Sequence, residues 1–110
     1  MEPFQLRERS GEPALLTIER WEREIPGISA GFTTRIGGSN KNDPMALNLA
    51  LHVDDDPHRV IENRRAVADA LGVPFEAWTC GEQVHDCRVA AVTREGRGRG
   101  RLSREDAYQN

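Results

Sequence analysis

The strongest local constraint on this chain is a framed helix. Asp56 stands as an N-cap, Pro57 suits the first helical position with its fixed φ, and nearby acidic residues sit where the helix dipole welcomes them. Gly72 supplies a C-terminal stop, with Pro74 beyond it. Between these signals Val60, Ile61, Val67, Ala68 and Leu71 recur at helical spacing, which predicts a helix over residues 57 to 71. At 1.5 Å per residue it would run about 22 Å, and burying its large or branched apolar side chains would contribute about 6 to 10 kcal/mol gross. Such a helix needs a sheet to lie on.

Strand patterns supply candidates for that sheet. Ala14 to Trp21 reads as a strand or strand end before the Pro26-Gly27 break, and Ile28 to Thr34 alternates as a second strand that delivers Arg35 to a loop. That loop, Gly37 to Pro44, holds only turn formers and polar residues, so it is expected at the surface. Met45 to Val53 alternates again, with Asn48, Ala50 and His52 on one face and Leu47, Leu49, Leu51 and Val53 on the other. A short helical or irregular turn from Pro74 to Trp78 leads to Thr79-Cys80-Gly81-Glu82-Gln83-Val84-His85, and Arg88 to Val92 reads as a further strand. Beyond Val92 the pattern stops: residues 93 to 104 are rich in Gly and Arg, and residues 105 to 110 carry too little apolar material to promise a closing element.

Composition narrows the function classes. With 110 residues the chain is at most one modest domain, and a net charge of -3 gives no global field toward nucleic acid or an anionic membrane. No run of eighteen apolar residues exists and the first residues lack the pattern of a signal peptide, so the default address is the cytoplasm. Two cysteines, Cys80 and Cys87, are too few for a disulfide framework.

Three blocks then line up in order. They are Gly31-Phe32-Thr33-Thr34-Arg35-Ile36-Gly37-Gly38, Leu47-Asn48-Leu49-Ala50-Leu51-His52-Val53 running into Asn63-Arg64-Arg65, and Glu82-Gln83-Val84-His85. Together they resemble the amino-terminal portion of the YfiH family, also called laccase-domain or polyphenol oxidase proteins, across roughly residues 28 to 92. The resemblance implies an α/β fold, part of a four-layer α/β/β/α sandwich with mixed sheets of the cysteine-hydrolase-like kind, with residues 1 to 110 forming one portion of a single domain. It also implies a zinc site of His, Cys and His in which His85 is the first ligand. The segments that carry the other two ligands in family members are absent from this sequence, so the chain is expected to be an amino-terminal fragment or truncated product, inactive and poorly stable alone.

The activities credited to similar proteins are phosphorolysis of purine nucleosides, including methylthioadenosine, and deamination of adenosine, besides an older assignment as copper polyphenol oxidases. The implied partners are therefore a purine nucleoside and phosphate, with zinc preferred to copper and no nucleic acid or membrane. In that reading Arg35, beside two glycines, steers phosphate, while Asn48 and Gln83 are hydrogen-bonding partners of substrate. Asp54 and the pair Asp86-Cys87 stand where the family usually has glycine, which places a carboxylate next to the expected ligand His85.

Plainer readings stand beside these. A strand-end histidine such as His85 is often ordinary, His52 has a polar structural alternative, and His58 in the first helical turn is a solvated residue. Cys80, His85 and Cys87 form a Cys-x4-His-x-Cys spacing that is no recognised zinc knuckle. The Gly-Arg run at 96 to 101 admits an RNA-binding tail but has no interleaved aromatic and reads better as a solvated loop. The chain as a whole is either part of a purine nucleoside enzyme or a free-standing non-catalytic domain.

Overall fold

The computed structural model describes residues 3–36, 47–51, 56–82 and 89–109. The chain divides into two compact units, Met1–Asn48 and Leu49–Asn110.

The first unit is built on a three-stranded antiparallel sheet in the order β1 (Gln5–Arg7), β2 (Leu15–Thr17), β3 (Gly31–Thr33). Strand β2 is central, with Leu16 opposite Leu6 on one side and Phe32 on the other. Its alternation explains the core of this unit: Leu15 and Thr17 are buried, while the outer strands are largely exposed. The buried Thr17 hydroxyl donates to the carbonyl of Gln5 at 3.4 Å. Gly31 is required where β3 meets β2, because a Cβ there would collide with the Leu16 carbonyl.

Two corrections belong to this unit. The strand expected over Ala14 to Trp21 stops at Thr17, and Glu19–Glu24 forms a short helix, α1. Arg20 and Glu24 pair at 3.1 Å across one turn of it, an i,i+4 contact that a strand would not offer. Strand β1 lies in a segment whose sequence showed no strand pattern. It exists because its backbone completes the β2 edge.

The second unit contains α2, Pro57–Leu71, with the limits the sequence predicts. The Asp56 carboxylate accepts from the His58 N–H at 3.0 Å, Pro57 occupies the first turn, and Gly72 closes the helix at φ 71°. The Gly72 and Val73 N–H groups return to carbonyls of the last turn, as such an ending requires. The buried face is Val60, Asn63, Arg64, Val67, Ala68 and Ala70, so it includes two polar residues, while Ile61 and Leu71 are only half-buried. A 3-10 turn, Phe75–Ala77, follows, and Phe75 is buried.

Strands β4 (Gly81–Glu82) and β5 (Tyr108–Gln109) pair in parallel, with Gly81 opposite Tyr108 and Glu82 opposite Gln109. Residues 105 to 110 therefore do supply a pairing strand, contrary to expectation, because parallel pairing recruits backbone and asks little of the side chains. The strand expected over Met45 to Val53 is absent from its described part, residues 47–51, and residues 89–92 of the expected Arg88 to Val92 strand form no strand either. The Gly-Arg segment is a run of turns with Arg94, Arg97 and Arg99 exposed, and it is tied back to residues 79 and 80. The Cys80 N–H donates to the Arg99 carbonyl at 2.8 Å, and the Gly98 N–H donates to the Thr79 hydroxyl at 2.9 Å. Among the described residues no helix is long and apolar enough to cross a membrane.

Candidate functional site

Arg35 leaves the end of β3 between two anchored neighbours. The Thr34 hydroxyl donates to the Ala14 carbonyl at 2.8 Å and accepts from the Ile36 N–H at 3.1 Å. The Ala14 N–H in turn donates to the Ile36 carbonyl at 3.1 Å. These three bonds fix the backbone on both sides of Arg35, whose side chain stays exposed. Among the described residues its guanidinium has no acidic partner within ion-pair distance, and a guanidinium presents five N–H donors suited to an anion.

Asn48 is half-buried and already has a partner within the chain. Arg35 and Asn48 both belong to the first unit. Gln83 and His85 lie outside the described residues, as do the Gly37-Gly38 pair, His52, Asp54 and Asp86-Cys87.

What the structure does describe is the approach to Gln83. Strand β4 ends at Glu82, immediately before it, and that strand is held from three directions. The half-buried Glu82 carboxylate accepts from Arg104 Nε at 3.1 Å and also from Arg104 Nη2. The Tyr108 N–H donates to the Cys80 carbonyl at 3.2 Å. Asp106 organises the returning segment: its carboxylate accepts from the Gly100 N–H at 3.0 Å and its carbonyl accepts from Arg99 Nε at 2.8 Å. Arg99 also lies 4.0 Å from the centre of the Tyr108 ring.

Arg64 is the residue whose importance the sequence least conveyed. Its Nε donates to the Leu49 carbonyl at 2.8 Å, and its Nη1 donates to the carbonyls of Gly100 at 2.6 Å and Arg101 at 3.0 Å. A buried cation is tolerated there because three backbone oxygens replace its water. Burial pushes the guanidinium below its usual range, and the nearby Cys80 acts in the opposite direction. The only sequence signal was its place in the Asn63-Arg64-Arg65 block, which carried the family resemblance and gave no sign of a brace.

Cys80 is half-buried, and its sulfur accepts from the Trp78 indole N–H at 2.8 Å. His58 is exposed at the start of α2. Among the described residues no group of three or more His, Cys, Asp or Glu side chains could hold a metal ion. The described donors by themselves do not fit a metal, and the fit turns on His85, outside them.

Comparison with known proteins identifies the lineage of this arrangement. The sequence pattern of the family described as multi-copper polyphenol oxidoreductase laccase matches residues 29–109. Purine nucleoside phosphorylase YlmD of Geobacillus stearothermophilus is 46% identical over 74 residues, covering 67% of this chain and 27% of the relative. Its namesake in Bacillus subtilis is 36% identical over 101 residues, covering 89% of this chain and 35% of the relative. The crystal structure of YlmD from Geobacillus stearothermophilus superposes with a TM-score of 0.83 at 37% identity, covering 100% of this chain and 38% of that one. The Bacillus licheniformis protein YfiH gives 0.81 at 35% identity, with 99% and 38% coverage. The chain thus spans about a quarter to just over a third of the length of these relatives. It belongs to the YfiH/YlmD family of laccase-like domains, matching the amino-terminal portion of that family, and has an α/β composition with an antiparallel sheet.

Proposed function

We propose that this chain forms the amino-terminal portion of a zinc-dependent purine nucleoside phosphorylase. The substrates would be inosine, guanosine, adenosine or methylthioadenosine together with inorganic phosphate, and the products a free base and a pentose 1-phosphate. Adenosine deamination is proposed as a second reaction of the same site. The observation that carries this reading is the naming of the relatives at 36% and 46% identity as purine nucleoside phosphorylases. The Arg35 geometry supports it, since its backbone is held on both sides and its exposed guanidinium is of the type that binds phosphate through paired donors.

In phosphorolysis a phosphate oxygen bonds to the sugar C1′ while the bond from C1′ to the purine nitrogen breaks. That bonding pair goes to the base, which takes up a proton. Arg35 would hold and orient the phosphate through paired N–H donors, limiting its approach to one face of the sugar. Asn48 and Gln83 would hydrogen-bond the nucleoside, and His85 would be the one metal ligand this chain contributes. Zinc, when bound, would supply a Lewis acid that polarises substrate oxygen or nitrogen. The complete domain is proposed to be a four-layer α/β/β/α sandwich with mixed sheets, located in the cytoplasm.

A copper-dependent phenol oxidase is the second reading, favoured by the description of the matching family. A direct test joins residues 1–110 to the carboxy-terminal portion of Geobacillus YlmD and follows bound metal, inosine phosphorolysis and ammonia release. Zinc with phosphate-dependent hypoxanthine release is expected, and Arg35→Ala should raise the KM for phosphate at least tenfold. Bound copper with phenol oxidation and no phosphorolysis would overturn the proposal.

A further inference from the structure

We infer that Arg65 and Arg101 form an oxyanion site beside Phe75, and that its ligand carries a phosphate group, either free or as a monoester. All three residues belong to the second unit and Arg35 to the first, and the inference does not depend on the proposed reaction.

The Gly-Arg run is the sequence feature that the proposed function leaves unused. From Arg94 to Arg104 it holds five arginines against one acid, Glu95. Two of the five are committed within the fold, Arg99 to the Asp106 carbonyl and the Tyr108 ring, and Arg104 to the Glu82 carboxylate. The main-chain N–H groups of residues 96 to 101 are committed too, since each donates within the chain. An anion bound at this run therefore has side chains alone to hold it.

Arg101 is brought to α2. Its Cζ lies 5.5 Å from the centre of the Phe75 ring, and the Cζ of Arg65, on the exposed side of the helix, lies 4.3 Å from the same centre. The two guanidinium carbons are thus no farther apart than those two distances laid end to end. Each is held near the ring by the attraction of a cation for an aromatic face, and the buried Phe75 fixes both. Their charge is not balanced by the acids nearby. Glu62 and Asp69 stand three residues before and four after Arg65, and Glu76 follows Phe75, yet among the described residues none of them pairs with either guanidinium. Arg101 adds an independent sign of a missing partner, because its Nε is shut from solvent and meets no acceptor. A cation partly stripped of water without a counter-charge gains most from an oxyanion.

The chemistry selects phosphate over carboxylate. One guanidinium fork uses both oxygens of a carboxylate, whereas a tetrahedral phosphate has oxygens for two forks at once and a charge that can match both cations.

Calorimetric titration tests this in the 110-residue chain carrying Arg35→Ala, which removes the phosphate contact proposed above. Inorganic phosphate, ribose 5-phosphate and acetate are the probes. One phosphate-bearing probe per chain is expected to bind, with acetate at least tenfold weaker. Arg65→Gln should weaken that binding at least tenfold and Arg65→Lys by less, while Arg97→Gln should leave it unchanged. Tighter binding of inorganic phosphate identifies the free anion as the ligand, and tighter binding of ribose 5-phosphate identifies a monoester; both support the site. Affinity indifferent to Arg65→Gln and Arg101→Gln would overturn the inference, as would an equal loss from Arg97→Gln or no binding of either phosphate probe. Single-stranded RNA bound in preference to both, with a steep salt dependence, would also overturn it and assign the run to nucleic acid. If the 110-residue chain lacks a single cooperative melt, the same titrations are made in the chain joined to the carboxy-terminal portion of Geobacillus YlmD, where loss of phosphate binding on Arg65→Gln supports the site and indifference refutes it. Binding is read without turnover, so failure of the proposed reaction leaves this result standing.

Discussion

Arg64 Nη1 reaches the Gly100 carbonyl at 2.6 Å across 36 residues of sequence, and so joins the middle of α2 to the turn that aligns β5 with β4. One side chain thereby fixes a helix and a parallel strand pair relative to each other. Arg64→Met keeps the stem and removes the fork, leaving three carbonyls without their donor. The expected loss is about 3 kcal/mol or more, from charged hydrogen bonds and stranded acceptors. Arg64→Lys should lose less, because an ammonium can still serve part of the set. Urea midpoints of the three proteins check this, and an unshifted midpoint for Arg64→Met would show that the fork holds nothing.

Gly100 and Gly11 both have φ of 78°, yet their surroundings differ. A Cβ at Gly100 would stand 2.8 Å from the Cys80 carbonyl and 2.9 Å from the Ala107 Cβ, whereas Gly11 has nothing within 4 Å. Gly11→Ala is expected to cost about 1 kcal/mol, the backbone strain alone. Gly100→Ala adds steric displacement and should cost roughly 3 kcal/mol. Paired denaturation curves that agree within error would contradict this separation.

Thr34→Val should uncouple the two bonds that anchor Arg35, to the Ala14 carbonyl and from the Ile36 N–H. The expected destabilisation is about 1 to 2 kcal/mol. In the protein joined to a carboxy-terminal portion, the same change should raise the KM for phosphate while leaving that for nucleoside nearly constant. A fall in kcat with an unchanged phosphate KM would separate Thr34 from phosphate placement.

The Glu95 carboxylate is held below its ordinary value of 4.5 by a hydrogen bond from its own backbone N–H and, next, by the Thr93 hydroxyl. A depressed carboxyl pKa stabilises the folded state above the unfolded value, and that contribution is lost as pH falls through the folded value. Thr93→Val should therefore move the Glu95 titration upward toward 4.5 in an NMR pH series. No movement would assign the depression to the backbone bond alone.

Much of the site's family identity was legible in the sequence because it resides in contiguous blocks. Residues 31–38, 47–53 with 63–65, and 82–85 were read as YfiH-like, and the comparisons place the chain in that family. Arg35 at a strand exit was likewise readable, since Ile28 to Thr34 alternates and β3 ends at Thr33. The brace around β4 was not readable, because Arg64 lies 36 residues from Gly100 and Arg104 lies 22 from Glu82, with no local pattern linking them.

The sequence by itself determined α2: its cap, its proline, its stop and its apolar spacing act within one or two turns, so they work before any tertiary contact exists. Only the tertiary structure decided which face of that helix is buried, where β1 pairs, and that residues 108–109 make a strand. Those outcomes depend on partners distant along the chain. A strand takes its hydrogen bonds from a neighbour, and a buried arginine takes its acceptors from wherever backbone oxygens converge, so neither leaves a mark on its own short stretch of residues.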